Sequence, residues 1–247
     1  MTVPPVAVAT MTLARTEAEE VLLYNSLAQL SAHGWPAIVT DGGSSAMFVG
    51  RLRDLRGMQV HQASGLVPQV TASITAALAS DAPVVLYTEP DKLAFFAEHL
   101  EQYIAVSRLS GHHALALAAR SLASFQTYPR HQQTTESAIN SRSGEVLGVA
   151  GDFSYGPFLM TRGLAVNLTT MPAHLGWGWR HFAFAIAHRL GYAIALIEGD
   201  YPCPLDQREE DDDERAHRDR QLRENLEGLS LGLAVPLFPC RPHGTIG

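Results

Sequence analysis

Apolar positions in the first hundred residues recur with two alternating periods. Val6–Thr10 (VAVAT) is a short apolar run behind Pro4-Pro5. Thr16 then has the place of a helix N-cap, with Glu19 three residues on completing a capping box. Val21, Leu22, Leu27 and Leu30 follow at helical spacing, and Gly34 provides a stop. Ala37–Thr40 is the second expected strand and leads into Asp41-Gly42-Gly43-Ser44. A helix to about Leu55, a strand at Met58–Gln62, a turn at Gly65 and a helix over Pro68–Ala79 come next. The fourth strand, Pro83–Thr88, ends in Glu89-Pro90-Asp91-Lys92, and a long helix is expected over Leu93–Leu109. Short connections in the order βαβαβαβ, with strands that lack polar alternation, predict an α/β fold: a mostly parallel central sheet with helices on both faces.

The pattern is less regular beyond residue 110. His112–Ser143 has a helical character interrupted by Pro129, and Asp152–Arg162 (DFSYGPFLMTR) looks like an irregular strand or loop. Leu175–Trp179 (LGWGW) leads into a helix over His181–Leu190, and Tyr192–Ile197 closes the unit as a strand. The charged segment 206–227 is expected to be helical at least over its Arg-rich half. The organisation predicted is one α/β domain over 1–205 and a charged helical extension or lid, with a tail, over 206–247. No internal repeat is visible.

A chain of 247 residues with 46% hydrophobic side chains is long enough to bury a substantial core, and this content excludes disorder. The net charge of −7 argues against a nucleic-acid partner. Ten acidic residues and five arginines between Asp206 and Glu227 supply −5 of it, so the remaining body is nearly neutral. Lys92 is the only lysine, against 17 arginines, as a GC-rich coding bias would produce. Cys203 and Cys240 are too few for a disulfide framework and are expected as free thiols. No run approaches the roughly 20 apolar residues of a membrane span, and no secretory signal is recognisable. A soluble cytoplasmic protein is expected, with a homo-oligomer left open.

Ligands of open α/β sheets bind outside the carboxyl ends of the strands, and two of those ends carry carboxylates. Glu89 and Asp91 lie at i and i+2 of an extended segment, which directs two hard oxygen donors to one face. Such a pair suits Mg²⁺ or Mn²⁺ held against a diphosphate, with Lys92 as a neighbouring positive charge; an acidic helix start is the plainer alternative. Asp41, after a buried strand, is a candidate acceptor for a nucleobase N–H. Neither a P-loop nor a G-x-G-x-x-G cradle is present.

These segments, in this order, resemble those of GT-A-fold nucleotide-sugar glycosyltransferases. Ala14-Arg15-Thr16-Glu17-Ala18-Glu19-Glu20 is similar to their A/P-x-N-E-E-E opening. Val39–Ser44 resembles their V-D-D-G-S turn, Gly65–Leu78 their Gly-rich helix, and Thr88–Lys92 their D-x-D. Gly176-Trp177-Gly178-Trp179-Arg180, followed by Leu190-Gly191-Tyr192, resembles their G-W-G-x-D/E…L-G-Y acceptor segment. The branch of mannosylglycerate and glucosyl-3-phosphoglycerate synthases is the most similar. The resemblance implies a nucleotide-sugar donor, a small acceptor and a divalent cation held by Glu89, Asp91 and a late histidine, His217. It also implies nucleoside contacts from Thr10, Glu17, Asp41, Gly42 and Lys92, and an acceptor pocket of Tyr155, Trp177, Trp179 and Arg180. Asp91 and Arg180 then carry the catalytic work. The chain departs from the family at Glu89, which replaces the first Asp, and at Arg180, which replaces the acceptor-segment acid. Arg180 suits an anionic acceptor, and loss of the acid favours a retaining transfer. The alternatives are a sugar nucleotidyltransferase, or a catalytically degenerate nucleotide binder of the same fold.

Phe153, Tyr155, Phe158, Trp177 and Trp179 serve equally as a sugar platform or as core. Gln132, Glu136 and Asn140 form one polar helical stripe, solvated or lining a cleft. His181 and His188 lie about 10.5 Å apart along a helix, too far to share a metal. The acidic run Glu209–Glu214 is either a solvated helix start or part of a lid carrying His217, Arg218 and Arg220 to the diphosphate.

Overall fold

The structure is a computed structural model describing residues 5–107, 109 and 112–236. Seven strands form one sheet: β1 (Val6–Thr12), β2 (Ala37–Asp41), β3 (Met58–Gln62), β4 (Val84–Tyr87), β5 (His113–Arg120), β6 (Phe158–Thr161) and β7 (Ala193–Gly199). Their spatial order is β3-β2-β1-β4-β6-β5-β7. Only β6 runs against the others, pairing antiparallel with both β4 and β5. The mostly parallel sheet expected from the pattern is therefore present.

Alternate side chains of each central strand enter two different cores. Val6 and Val8 of β1 and Val84 and Leu86 of β4 join one cluster, whereas Ala7, Ala9, Val85 and Tyr87 join the other. Both faces are covered, so the strands read as unbroken apolar runs. Helices α1 (Glu17–Ala32) and α2 (Ala46–Arg53) cover the first face with the turn Phe95–His99 and α4 (Leu100–Val106). On the second face lie α3 (Leu66–Ala77), α6 (Arg130–Leu147) and α8 (Trp179–Arg189), joined by α9 (Asp212–Ala234). Short helices α5 (Leu122–Phe125) and α7 (Arg162–Val166) complete the set.

Thr16 caps α1 as expected, accepting from the Glu19 backbone, while the Glu19 carboxylate returns to the Arg15 amide. Two expectations are corrected. His112–Ser143 is not continuously helical, because His113–Arg120 (HALALAAR) is β5. Its Ala and Leu content favours helix locally, but every residue after His113 is buried between the two helical layers, and that burial decides. Pro129 caps α6 rather than interrupting a helix. The expected helix Leu93–Leu109 is a π-turn, Phe95–His99, running into the short α4. His33 Nε2, 2.8 Å from the Phe96 carbonyl, meets the backbone at that turn.

Three glycines of α8 and α9 and their approach let these elements meet almost backbone to backbone. A Cβ on Gly228 would collide with the Gly178 carbonyl, and one on Gly232 with Ala185 and the Phe182 carbonyl. Arg189 completes the joint by donating to the Gly232 and Val235 carbonyls at the C-terminal end of α9. No helix among the described residues is long and apolar enough to cross a membrane.

His181 is fully buried on α8. Burial, reinforced by the Arg180 guanidinium, pushes its pKa down to about 3 from 6.5, so it is neutral in the native state.

Gly228→Ala is expected to lower stability by about 2–3 kcal/mol through overpacking, read as a lower urea midpoint. Gly50→Ala, on α2 with open space around it, is expected to raise stability by about 0.5–1 kcal/mol. Because the folded-state pKa of His181 is depressed, its unfolded form alone takes up a proton as pH falls below about 6.5. Stability is therefore expected to fall between pH 6.5 and 5 with a limiting slope of about 1.4 kcal/mol per unit from this group. Urea unfolding of His181→Leu is expected to show that slope removed.

Candidate functional site

Reversal of β6 brings the segment 152–157 to the edge where the other six strands end. Beside it lie the β4–α4 connection, with Glu89, Asp91 and Lys92, and the start of α8, with Trp177 and Arg180. The ends of β1 and β2 form the neighbouring half of the same edge.

At that neighbouring half, Asp41 is 1% exposed and its carboxylate is saturated by the loop itself. Oδ1 accepts from Thr12 and Ser44 hydroxyls, and Oδ2 from the Gly43 and Ser44 amides. Asp41, expected as an acceptor for a nucleobase N–H, here accepts four hydrogen bonds that organise the turn. Gln69, which the sequence reading passed over, donates from Nε2 to both the Thr12 and Thr40 carbonyls. Gly42 is needed beside it, since a Cβ there would sit 2.9 Å from Gln69 Nε2. Thr10 is buried within β1, with its hydroxyl unpartnered, and Glu17 is exposed in the first turn of α1.

Arg180 reaches across from α8 and donates from Nη1 to Glu89 Oε1 at 2.8 Å. Both side chains are nearly buried, at 8% and 9% exposure. Arg180, expected to face an acceptor, pairs here with Glu89. Glu89 Oε2 lies against Gly156, whose φ of +128° and missing side chain make room for it. Asp91 follows, with Lys92 Nζ 3.8 Å from its Oδ1 and 5.1 Å from the centre of the Tyr155 ring. Burial draws the Lys92 pKa down, but Asp91 and Glu89 outweigh it and hold the ammonium above the usual lysine value. Tyr87 is raised well above the ordinary phenol value, by burial first and by Glu89 second, and stays protonated.

Five buried polar atoms around this point have no hydrogen-bond partner: Tyr87 Oη, Glu89 Oε2, Asp91 Oδ1, Trp179 Nε1 and Arg180 Nε. Unpartnered buried polar atoms are costly in a folded protein and mark places where a ligand or ion completes the shell. Two of them are carboxylate oxygens, hard donors that fit Mg²⁺ or Mn²⁺ when ligand and water oxygens supply the rest. His217 does not join them. Among the described residues no three His, Cys, Asp or Glu side chains are gathered to hold a metal, so the structure does not bring the expected Glu89, Asp91 and His217 together. His217 is turned edge-on to Trp177, with ring centres 6.5 Å apart, and takes a hydrogen bond at Nδ1 from Arg220. Burial, helped by Arg218 and Arg220 and opposed by Glu214, lowers its pKa.

Of the expected acceptor residues, Trp177 is half-buried, with its ring 5.8 Å from the Arg180 guanidinium. Its amide donates to Glu224 of α9, a contact that spacing along the chain gave no means of seeing. Trp179 belongs to the core, edge-on to Tyr87 at 4.5 Å, and Tyr155 is stacked on Tyr201 at 4.6 Å. The Gln132–Glu136–Asn140 stripe is neither solvated nor free to bind hydroxyls. Glu136 and Asp152 hold the buried Arg120 guanidinium at 2.6 and 2.7 Å, and Asn140 bonds Asp152 and Ser154. Cys203 is buried, and Cys240 lies outside the described residues.

No family model and no curated protein matches the chain. Solved structures do. Mannosyl-3-phosphoglycerate synthase from Rubrobacter xylanophilus superposes with a TM-score of 0.67 at 13% identity, over 97% of this chain and 79% of the other. Glucosyl-3-phosphoglycerate synthase from Mycobacterium tuberculosis, solved with Mn²⁺, UDP and glucosyl-3-phosphoglycerate, gives 0.63 at 16% identity over 94% and 81%. The same synthase with UDP gives 0.64 at 17% identity over the same shares. Identities this low speak for the fold, and the chain has the fold of the GT-A-type nucleotide-sugar glycosyltransferases.

Proposed function

We propose that the chain is a cation-dependent glycosyltransferase that moves a sugar from a nucleoside-diphosphate donor to a small anionic acceptor, with retention at the sugar carbon. The observation that carries this reading is the unpartnered pair of carboxylate oxygens, Glu89 Oε2 and Asp91 Oδ1, with three further unpartnered polar atoms on their neighbours Tyr87, Trp179 and Arg180. Its position at the carboxyl edge of the sheet, where ligands of this class of fold bind, agrees with it. The solved neighbours, described with UDP, Mn²⁺ and phosphoglyceric acid, support a nucleoside diphosphate and a phosphorylated hydroxy acid as the ligand types.

Glu89 and Asp91 would hold the divalent cation, Mg²⁺ or Mn²⁺. When bound, the cation neutralises charge developing on the leaving diphosphate. Lys92, protonated at neutral pH, adds a positive charge on the same side. Glu17 and the backbone of Thr10 and Gly42 border the nucleoside, with Asp41 and Gln69 fixing the turn. Trp177 and Tyr155 border the acceptor, and Trp179 supports them from the core. Arg180 stands where a carboxylate base would be needed for inversion. Without a base there, the acceptor hydroxyl passes its proton to the departing phosphate oxygen as the new C–O bond forms and the old one breaks. Both events occur on one face of the sugar, which retains its configuration.

A second reading, a binder that does no chemistry, is favoured by the Glu89–Arg180 ion pair, which leaves only part of the carboxylate pair open.

A thermal-shift screen of UDP-, GDP- and ADP-sugars with and without Mn²⁺ tests the proposal. Ligand at 100 times Kd stabilises by about 2.7 kcal/mol, a melting shift of about 5–10 °C for a domain of this size. The expected result is such a shift with one donor only when Mn²⁺ is present, with at least tenfold weaker donor binding in Asp91→Ala. Release of nucleoside diphosphate on adding phosphoglycerate separates the enzyme from the silent binder. No donor producing a shift overturns the reading.

A further inference from the structure

We propose that Arg180 is a built-in counter-cation that competes with the divalent cation for Glu89, so that the cation binds weakly until a diphosphate enters with it. The inference rests on the glycosyltransferase reading of the same site. Four charged groups meet there: Glu89 and Asp91, and Lys92 and Arg180. Their formal charges sum to zero, whereas a resident dication needs a site that is net negative. Arg180 takes Oε1 of Glu89 at 2.8 Å, and Oε2 is pressed against Gly156.

A cation seated on this carboxylate therefore either displaces the guanidinium from Oε1 or stands within a few ångströms of it, where like charges repel. The diphosphate changes the balance. Its negative charge compensates the dication and offers the displaced guanidinium a bidentate partner. In its present position the guanidinium also lies 5.8 Å from the Trp177 ring, and its unpartnered Nε leaves a donor for the diphosphate. Cation and diphosphate thus bind as a coupled pair, each raising the affinity of the other by the same factor.

The test is a titration of free Mn²⁺, read by its electron paramagnetic resonance signal, against the full chain without nucleotide. The variants are Arg180→Gln, Arg180→Lys and the double variant Arg180→Gln/Glu89→Gln. Arg180→Gln is expected to bind Mn²⁺ at least tenfold more tightly than wild type, with Arg180→Lys between them. The double variant is expected to lose the gain, because the gain runs through Glu89. An affinity of Arg180→Gln within twofold of wild type, weaker, or absent overturns the proposal, as does a gain that survives Glu89→Gln. Circular dichroism reports whether Arg180→Gln folds. If it does not, the neutral Arg180→Met takes its place and is judged by the same criterion. The glycosyltransferase reading fails by a different result, a donor screen without a hit, which leaves the order of Mn²⁺ affinities unchanged.

Discussion

Because β6 runs against its neighbours, the chain entering it must arrive at the edge where the parallel strands end. That reversal puts Gly156 under Glu89, and only a residue without a Cβ leaves room for the carboxylate there. It also brings Asp152 to the end of β5, where it neutralises Arg120 in the interior. Breaking such a buried pair from one side leaves an uncompensated charge. The two halves of the site are thus held by one topological choice: β4 carries the carboxylates, and the segment before β6 shapes the space around them.

The first four strands were legible because burial on both faces writes itself into the sequence as short apolar runs, and Thr16 and Gly34 mark the ends of α1. β5 was not, since HALALAAR is composed of residues that favour a helix when nothing packs on them. Among the site residues, Glu89 and Asp91 could be found because they follow a buried strand at its carboxyl end, although Pro90 and Asp91 form a turn and not the extended segment expected. The partner of Glu89 could not. Ninety-one positions separate it from Arg180, and no local pattern reports a contact across that distance. Asp41 was legible as a turn residue, and three of the four hydrogen bonds that occupy it come from Gly43 and Ser44 of its own turn; only the Thr12 bond needs β1 and β2 side by side. Gln69 stood in a stretch read for its glycine and its apolar face, with no signal of its polar task.

The acidic segment has more structural work than its charge suggests. Glu210 accepts from the His131 amide, Asp219 meets the His131 ring at 2.8 Å, and Glu224 accepts from the Trp177 amide. Asp219 and Glu224 tie α9 to α6 and to the approach to α8, and Glu210, just before α9, holds the same His131. Exposed pairs of this kind add little stability singly, but the glycine contacts beneath them bring the backbones together, and the side-chain bonds set the register of that joint.

The joint between Gly178 and Gly228 has a consequence for how the molecule is made. Everything that α9 clamps precedes it in the chain. During synthesis the sheet edge and α8 emerge first, and domains assemble as their segments become available. Until residues 212–234 have appeared, the approach to α8 lacks the Gly228 backbone contact and the Glu224 bond to the Trp177 amide, and is held to the sheet by the packing of Leu175 and Trp179 in the core. The last contacts that the approach to α8 acquires are therefore those with α9, at the far end of synthesis.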